Sequence, residues 1–172
     1  ASTMSEEALL YRAHRGLLEK NEQMAILVQR VSGAVYGDLF YPQIAGVGLS
    51  YNPYAWSEYV EPEAGVLRLV FGLGTRAVDR SDDDYTRIVA LNAPLRRPEA
   101  NFDEVTEYAQ HRVDVLDLKE NRFKSLDCAD VIESSKDLAV EMFASRRSVS
   151  FDGSRGTPTV APWVLTFENL LS

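Results

Sequence analysis

The sequence predicts an α+β fold on three observations. Short apolar runs of strand length recur at residues 25–31, 44–50, 66–71 and 86–91, bounded by Gly, Pro, Asn or Asp. Helical spacing and helix-start chemistry are confined to a few stretches, so strands are in the majority. The composition, 45% apolar and 10% aromatic over 172 residues, suffices to bury one core.

Leu10, Ala13, Leu17 and Leu18 recur at helical spacing, and Thr3 and Glu6 stand at capping-box distance, which predicts a helix over residues 5–20. His14, inside it, reads as a surface or half-buried residue rather than a catalyst. Residues 25–31 form an apolar run that reads as a buried strand. Gly33, Gly37 and Pro42 then break the chain, so residues 32–43 read as a loop or ragged hairpin. Residues 44–50 read as a second strand whose glycines, Gly46 and Gly48, let backbone or ligand approach closely. Asn52-Pro53 ends it with turn chemistry.

Residues 54–65 read as a surface excursion. Residues 66–71 are the strongest strand candidate and run directly into Gly72-Leu73-Gly74; residues 86–91 are another, after a dense charged segment. Pro94 and Pro98 mark a boundary, dividing the chain into residues 1–98 and a continuation of the same domain over 99–172. Asn101 and Glu104 are spaced to cap a helix over 101–110. Residues 112–118 alternate as in a half-exposed strand. Short helices at 127–135 and 137–145 and strands at 148–151 and 163–167 complete the expectation.

With 18 Lys+Arg against 26 Asp+Glu, the net charge is −8, which argues against a broad grip on nucleic acid or an anionic membrane. No apolar stretch approaches the roughly 20 residues that span a bilayer. The single Cys128 excludes an internal disulfide, and with His14 and His111 it is too little for a zinc cluster. A reducing, cytoplasmic compartment is expected.

Two segments carry chemistry. A strand ending in Gly72-Leu73-Gly74 exposes amides that can cradle a phosphate. Arg76, Arg80 and Arg87 offer guanidinium forks for phosphate, and Asp79, Asp82, Asp83 and Asp84 offer oxygen ligands to magnesium. On these residues alone the plainer reading prevails, in which the two glycines form a tight turn and the charges a solvated hairpin tip. The second segment, Val28-Gln29-Arg30-Val31, places an amide in an apolar run, where Gln29 either reads a nucleobase edge or faces water at a sheet edge.

Taken in order, Val28-Gln29-Arg30-Val31, Gly46-Val47-Gly48-Leu49-Ser50-Tyr51-Asn52-Pro53 and Phe71-Gly72-Leu73-Gly74 resemble the nucleotide-binding domain of the phosphoenolpyruvate synthase and pyruvate phosphate dikinase family. The likeness is good over about residues 9–91 and loose over 99–172. It implies a partial ATP-grasp-like domain, with a mixed or antiparallel sheet and flanking helices, that binds ATP and Mg2+. It also implies a phosphotransferase in which ATP phosphorylates a histidine on a separate domain. By resemblance, Gln29, Arg30 and Val31 lie near adenine, and Gly46 and Ser50 line the cleft. Gly72, Gly74 and Arg76 flank that cleft, and Asp84 holds the metal. The expected partners are ATP, a first ATP-grasp lobe and a phosphohistidine domain, both outside residues 1–172, so the piece alone is expected to be inactive.

The sequence departs from the family pattern at Thr75, where the family has an acidic residue, and at Ser81-Asp82-Asp83-Asp84-Tyr85, where it has Pro-Asp. These departures motivate an alternative, a degenerate module that senses nucleotide or holds a partner without catalysis. A plainer reading makes Tyr51, Tyr54, Trp56 and Tyr59 an aromatic contact surface of a structural domain.

Overall fold

A computed structural model describes residues 4–21, 23, 25–79, 84–146 and 161–172. Contacts divide the chain into two units, Ala1–Val31 and Ser32–Ser172.

The first unit holds helix α1 (Glu6–His14). Ser5 is its N-cap, accepting from the Ala8 amide at 3.3 Å, with Glu6 and Glu7 in the first turn and Arg12 and His14 in the last, as the helix dipole favours. Thr3 lies outside the described residues. The helix ends well short of residue 20 because Gly16 takes φ +64, a left-handed stop. Arg12 then ties the following turn by donating to the Leu17 and Lys20 carbonyls. The expected strand at 25–31 does not form. Ile26, Leu27 and Val28 are 85%, 79% and 88% exposed in non-regular backbone. Apolar content alone does not make a strand, which needs a neighbour to take its hydrogen bonds.

The second unit is built from antiparallel sheets, so the α+β expectation holds. Strands β1 (Ala34–Tyr36) and β2 (Leu39–Tyr41) form a hairpin turning at Gly37, φ +60. β2 pairs with β6 (Arg112–Asp117), and β6 pairs with β7 (Arg122–Asp127), giving the order β1-β2-β6-β7. This sheet joins strands from both sides of residue 98. A second sheet, β3-β4-β5, comprises Ala45–Leu49, Val66–Val70 and Arg87–Ala90, all near their expected positions. Between β3 and β4 runs the excursion, which closes on a 3-10 turn at Pro62–Ala64.

Helix α2 (Thr75–Val78) follows β4. α3 (Phe102–Glu107) starts as expected: Asn101 Oδ1 accepts from the Glu104 amide, and the Glu104 carboxylate returns to the Ala100 amide and the Asn101 side chain. Asp127 caps α4 (Cys128–Ser134), accepting from the Ala129 and Asp130 amides. The expected helix at 137–145 shortens to α5 (Val140–Phe143), and the chain then becomes β8 (Ala144–Ser145), paired with β9 (Val164–Leu165). A last turn, α6 (Glu168–Leu171), closes the chain. The strand expected at 148–151 lies outside the described residues.

The core packs Tyr41, Phe71, Val89, Val113, Val115, Phe143 and Phe167, each fully buried. Phe71 stacks on Phe143 at 4.9 Å and meets the Tyr41 ring edge-on at 5.5 Å. Phe71 thus anchors the end of β4, where the chain turns into Gly72-Leu73-Gly74.

Candidate functional site

Burial of Phe71 leaves its backbone needing partners away from water. Gln110, 4% exposed, supplies them: its Oε1 accepts from the Phe71 amide at 2.8 Å, and its Nε2 donates to the Phe71 and Arg112 carbonyls. Two residues on, the Leu73 amide donates to the Asp114 carbonyl at 2.9 Å. The turn after β4 is therefore fastened to β6.

The glycines of the site differ in why they are glycine. Gly72 has φ +90, and a Cβ there would stand 2.3 Å from Val113 Cγ2 and 2.8 Å from the Asp114 carbonyl oxygen. A Cβ at Gly46 would stand 2.4 Å from the Arg68 carbonyl oxygen on the neighbouring strand. Both positions are small because the protein itself fills the space. At Gly74 a Cβ would meet only Ala45 Cβ, at 3.6 Å. With φ −67 the backbone also accepts a side chain. Gly74 is the glycine whose absent side chain the protein does not replace.

α2 packs on β3 and β4 and carries Arg76 into a closed polar network. Arg76 Nε donates to Asp114 Oδ1 at 2.9 Å, one terminal nitrogen to Asp84 Oδ2 at 3.0 Å and the other to Ser125 Oγ at 2.7 Å. Thr75 Oγ1 donates to Asp114 Oδ2 at 2.6 Å. Asp84 also accepts from the backbone amides of His111 (2.7 Å) and Arg112 (2.9 Å). The Arg76, Asp84 and Asp114 side chains are only 12%, 8% and 7% exposed. Each buried charge has an opposite charge and further hydrogen bonds, the condition under which such a pair is tolerated.

Gly46, Ser50, Gly72, Gly74, Arg76 and Asp84 all belong to the second unit. The turn and the start of β3 are neighbours there, since a Cβ built on Gly74 would stand 3.6 Å from the Ala45 Cβ. Gly46 and Ser50 are exposed. Gln29, Arg30 and Val31 lie in the first unit, all exposed. Asp84, expected as the magnesium ligand, does not fit that role as placed. Both of its oxygens are engaged by Arg76 and two amides, and the described residues contain no group of three His, Cys, Asp or Glu able to hold a metal. Asp82 and Asp83 lie outside the described residues.

Sequence reasoning missed Asp114, Gln110 and Ser125. The alternation at 112–118 suggested an acid on a solvated face, yet Val113, Asp114 and Val115 are all buried. The available signal was an acid flanked by valines, Val113-Asp114-Val115, in a strand. Cys128, 5% exposed, has its thiol pushed well up by burial, with Asp84 and Asp127 adding to the effect, and stays protonated.

Among the described residues, no helix is long and apolar enough to cross a membrane. No curated protein and no solved structure matches the chain. The family model for the pyruvate phosphate dikinase AMP/ATP-binding domain matches residues 1–143, which include the three ordered segments, the Gly72-Leu73-Gly74 turn and the Arg76 network. The chain belongs to the pyruvate phosphate dikinase AMP/ATP-binding domain family.

Proposed function

We propose that this chain is the adenine-nucleotide-binding part of an ATP-dependent phosphotransferase of the dikinase type. The observation that carries the reading is the family match over residues 1–143. Gln29, Arg30 and Val31 offer exposed polar and main-chain groups to the adenine. Gly46 on β3 and Ser50 just after it line the cleft, and Gly74 leaves room for a ligand. Gly72 and Arg76 act by holding the turn, since Gly72 is packed against β6 and Arg76 serves three internal acceptors. The chemistry assigned to the intact enzyme is phosphoryl transfer to a histidine on another domain, with a first ATP-grasp lobe completing the cleft. Residues of this chain would position ATP in that reaction, where positioning and charge neutralisation supply most of the catalysis.

A second reading is a nucleotide-binding module without catalysis. The closed network favours it, because Thr75 stands where the family has an acid and Arg76, Asp84 and Asp114 neutralise one another.

The test uses the natural full-length protein carrying this chain, titrated with a fluorescent ATP analogue with and without magnesium. Gly74→Val is expected to fold normally and to weaken binding at least tenfold, about 1.4 kcal/mol. Unchanged affinity in that variant would remove the turn from the site. Formation of AMP from ATP with pyruvate supports the enzyme; saturable ATP binding without AMP supports the module.

A further inference from the structure

The two ladders that hold β4 stop short of the Gly72-Leu73-Gly74 turn. β3 reaches as far as Val70, paired with Ala45, and β5 only as far as Leu69, paired with Arg87. Phe71 is the first residue of this stretch that neither ladder reaches, and its side chain is fully buried. A backbone N–H and C=O so placed need partners other than water.

Gln110, two residues before β6, takes the place of the missing strand. Its Oε1 accepts from the Phe71 amide at 2.8 Å and its Nε2 donates to the Phe71 carbonyl at 2.9 Å. One side-chain amide thus serves both backbone groups of one residue, as a residue directly opposite does in an antiparallel ladder. The second Nε2 hydrogen goes to the Arg112 carbonyl at 2.7 Å, which ties the clamp to β6. These partners fix the orientation of the amide. With its oxygen and nitrogen exchanged, two donors would face each other and two carbonyl oxygens would face Oε1. Only glutamine supplies the set: a glutamate has no donor for the two carbonyls, and an asparagine falls one carbon short, about 1.5 Å.

Beyond Gly72 the turn is held by a different residue. The Leu73 amide bonds the Asp114 carbonyl, and the Asp114 carboxylate takes Thr75 and Arg76. Gly72, at φ +90, stands between the two fastenings. Gln110 therefore sets the direction in which the chain enters the turn, and Asp114 the direction in which it leaves.

We infer that Gln110 is a positioning residue of the nucleotide site, acting through the Phe71 backbone rather than by touching ligand. It ends β4 at a fixed point, so that Gly74 is presented in one geometry before nucleotide arrives. The inference rests on the reading that this turn meets the nucleotide. A turn that must be ordered at the moment of binding loses affinity by the cost of ordering it.

The natural full-length protein is titrated with N-methylanthraniloyl-ATP, and melting temperatures are recorded in parallel. Gln110→Glu and the milder Gln110→Asn are each expected to weaken binding at least tenfold. Ile132→Ala is the yardstick for a merely structural loss. It opens a cavity at a buried position on α4, which contributes none of the bonds that fasten the turn, and should lower the melting temperature with binding held within about twofold. Should Gln110→Glu fail to fold, Gln110→Asn carries the comparison. Parental affinity in the Gln110 variants, while Gly74→Val loses it, overturns the role of Gln110 alone. Equal weakening by Ile132→Ala at the same loss of melting temperature overturns it too. Parental affinity in both Gln110 and Gly74 variants, or no binding by the parent, removes the turn from the site and takes the inference with it.

Discussion

Arg76 and Asp114, 38 positions apart in sequence, share a hydrogen-bonded ion pair of 2.9 Å, which fastens α2 to β6 from inside the protein. Thr75 bonds the second oxygen of the same carboxylate. Removing one partner leaves a charge stranded in a site that is mostly dry. Asp114→Asn or Arg76→Met is therefore expected to lose about 3–5 kcal/mol. Thr75→Val, which strands only one acceptor, should lose about 1–3 kcal/mol. Urea denaturation with the double variant Thr75→Val/Asp114→Asn checks the coupling, which should be well below additive.

The glycines of the turn give opposite expectations. Gly72→Ala must take φ +90 and push against Val113 and the Asp114 carbonyl, and is expected to cost about 2–4 kcal/mol. Gly74→Ala has a permitted backbone and room, so it should leave stability unchanged or raise it by about 0.4–1 kcal/mol. Thermal melts of the two variants decide it, and equal losses would contradict the packing account.

Acid should weaken the β6–β7 hairpin through Asp117. The Lys124 ammonium at 2.7 Å, followed by the Glu120 and Lys119 amides, holds its carboxyl below the ordinary value of 3.8. The folded state thus binds this proton more weakly than the unfolded chain does. Its stabilisation is present above pH 3.8 and is lost as pH falls through the lower folded value. Asp117→Asn should show a shallower decline in melting temperature across that range than the parent.

Cys128 should be inert in the native protein. Burial holds its thiol protonated well above neutrality, so a disulfide reagent at pH 8 should react only as fast as the core opens. In urea the same thiol should titrate at once. Rapid native labelling would show that α4 is loosely docked.

Much of the second unit was legible because its signals are local. Asn101 and Glu104 announce α3, and the apolar runs of β3, β4 and β5 are bounded by turn residues. β7 was not expected, since Arg122 to Asp127 contains no buried side chain and Phe123 is 52% exposed. Its pairing is set by β6 and by Asn121, which takes φ +51 at the turn, rather than by a hydrophobic face. Residues 25–31 failed in the opposite direction, with hydrophobicity but no partner strand. At the site, Gly72 and Arg76 were visible as residue types, but their partners Val113, Asp114 and Ser125 lie about forty or more positions downstream. The pairing of β2 with β6 helps to bring that part of the chain into place, and no local pattern encodes it.

That pairing has a kinetic meaning. Phe40 meets Leu116 only after the whole intervening chain has looped back, and the entropy of closing that loop must be met before β6 can receive the turn. The hairpin β1-β2 and the sheet β3-β4-β5 are made of near neighbours and can form early. The Gly72–Arg76 turn is therefore expected to lock only once β6 arrives. A nucleotide that binds beside this turn would then favour the state in which β6 is docked, so binding and the docking of β6 would draw on a single equilibrium.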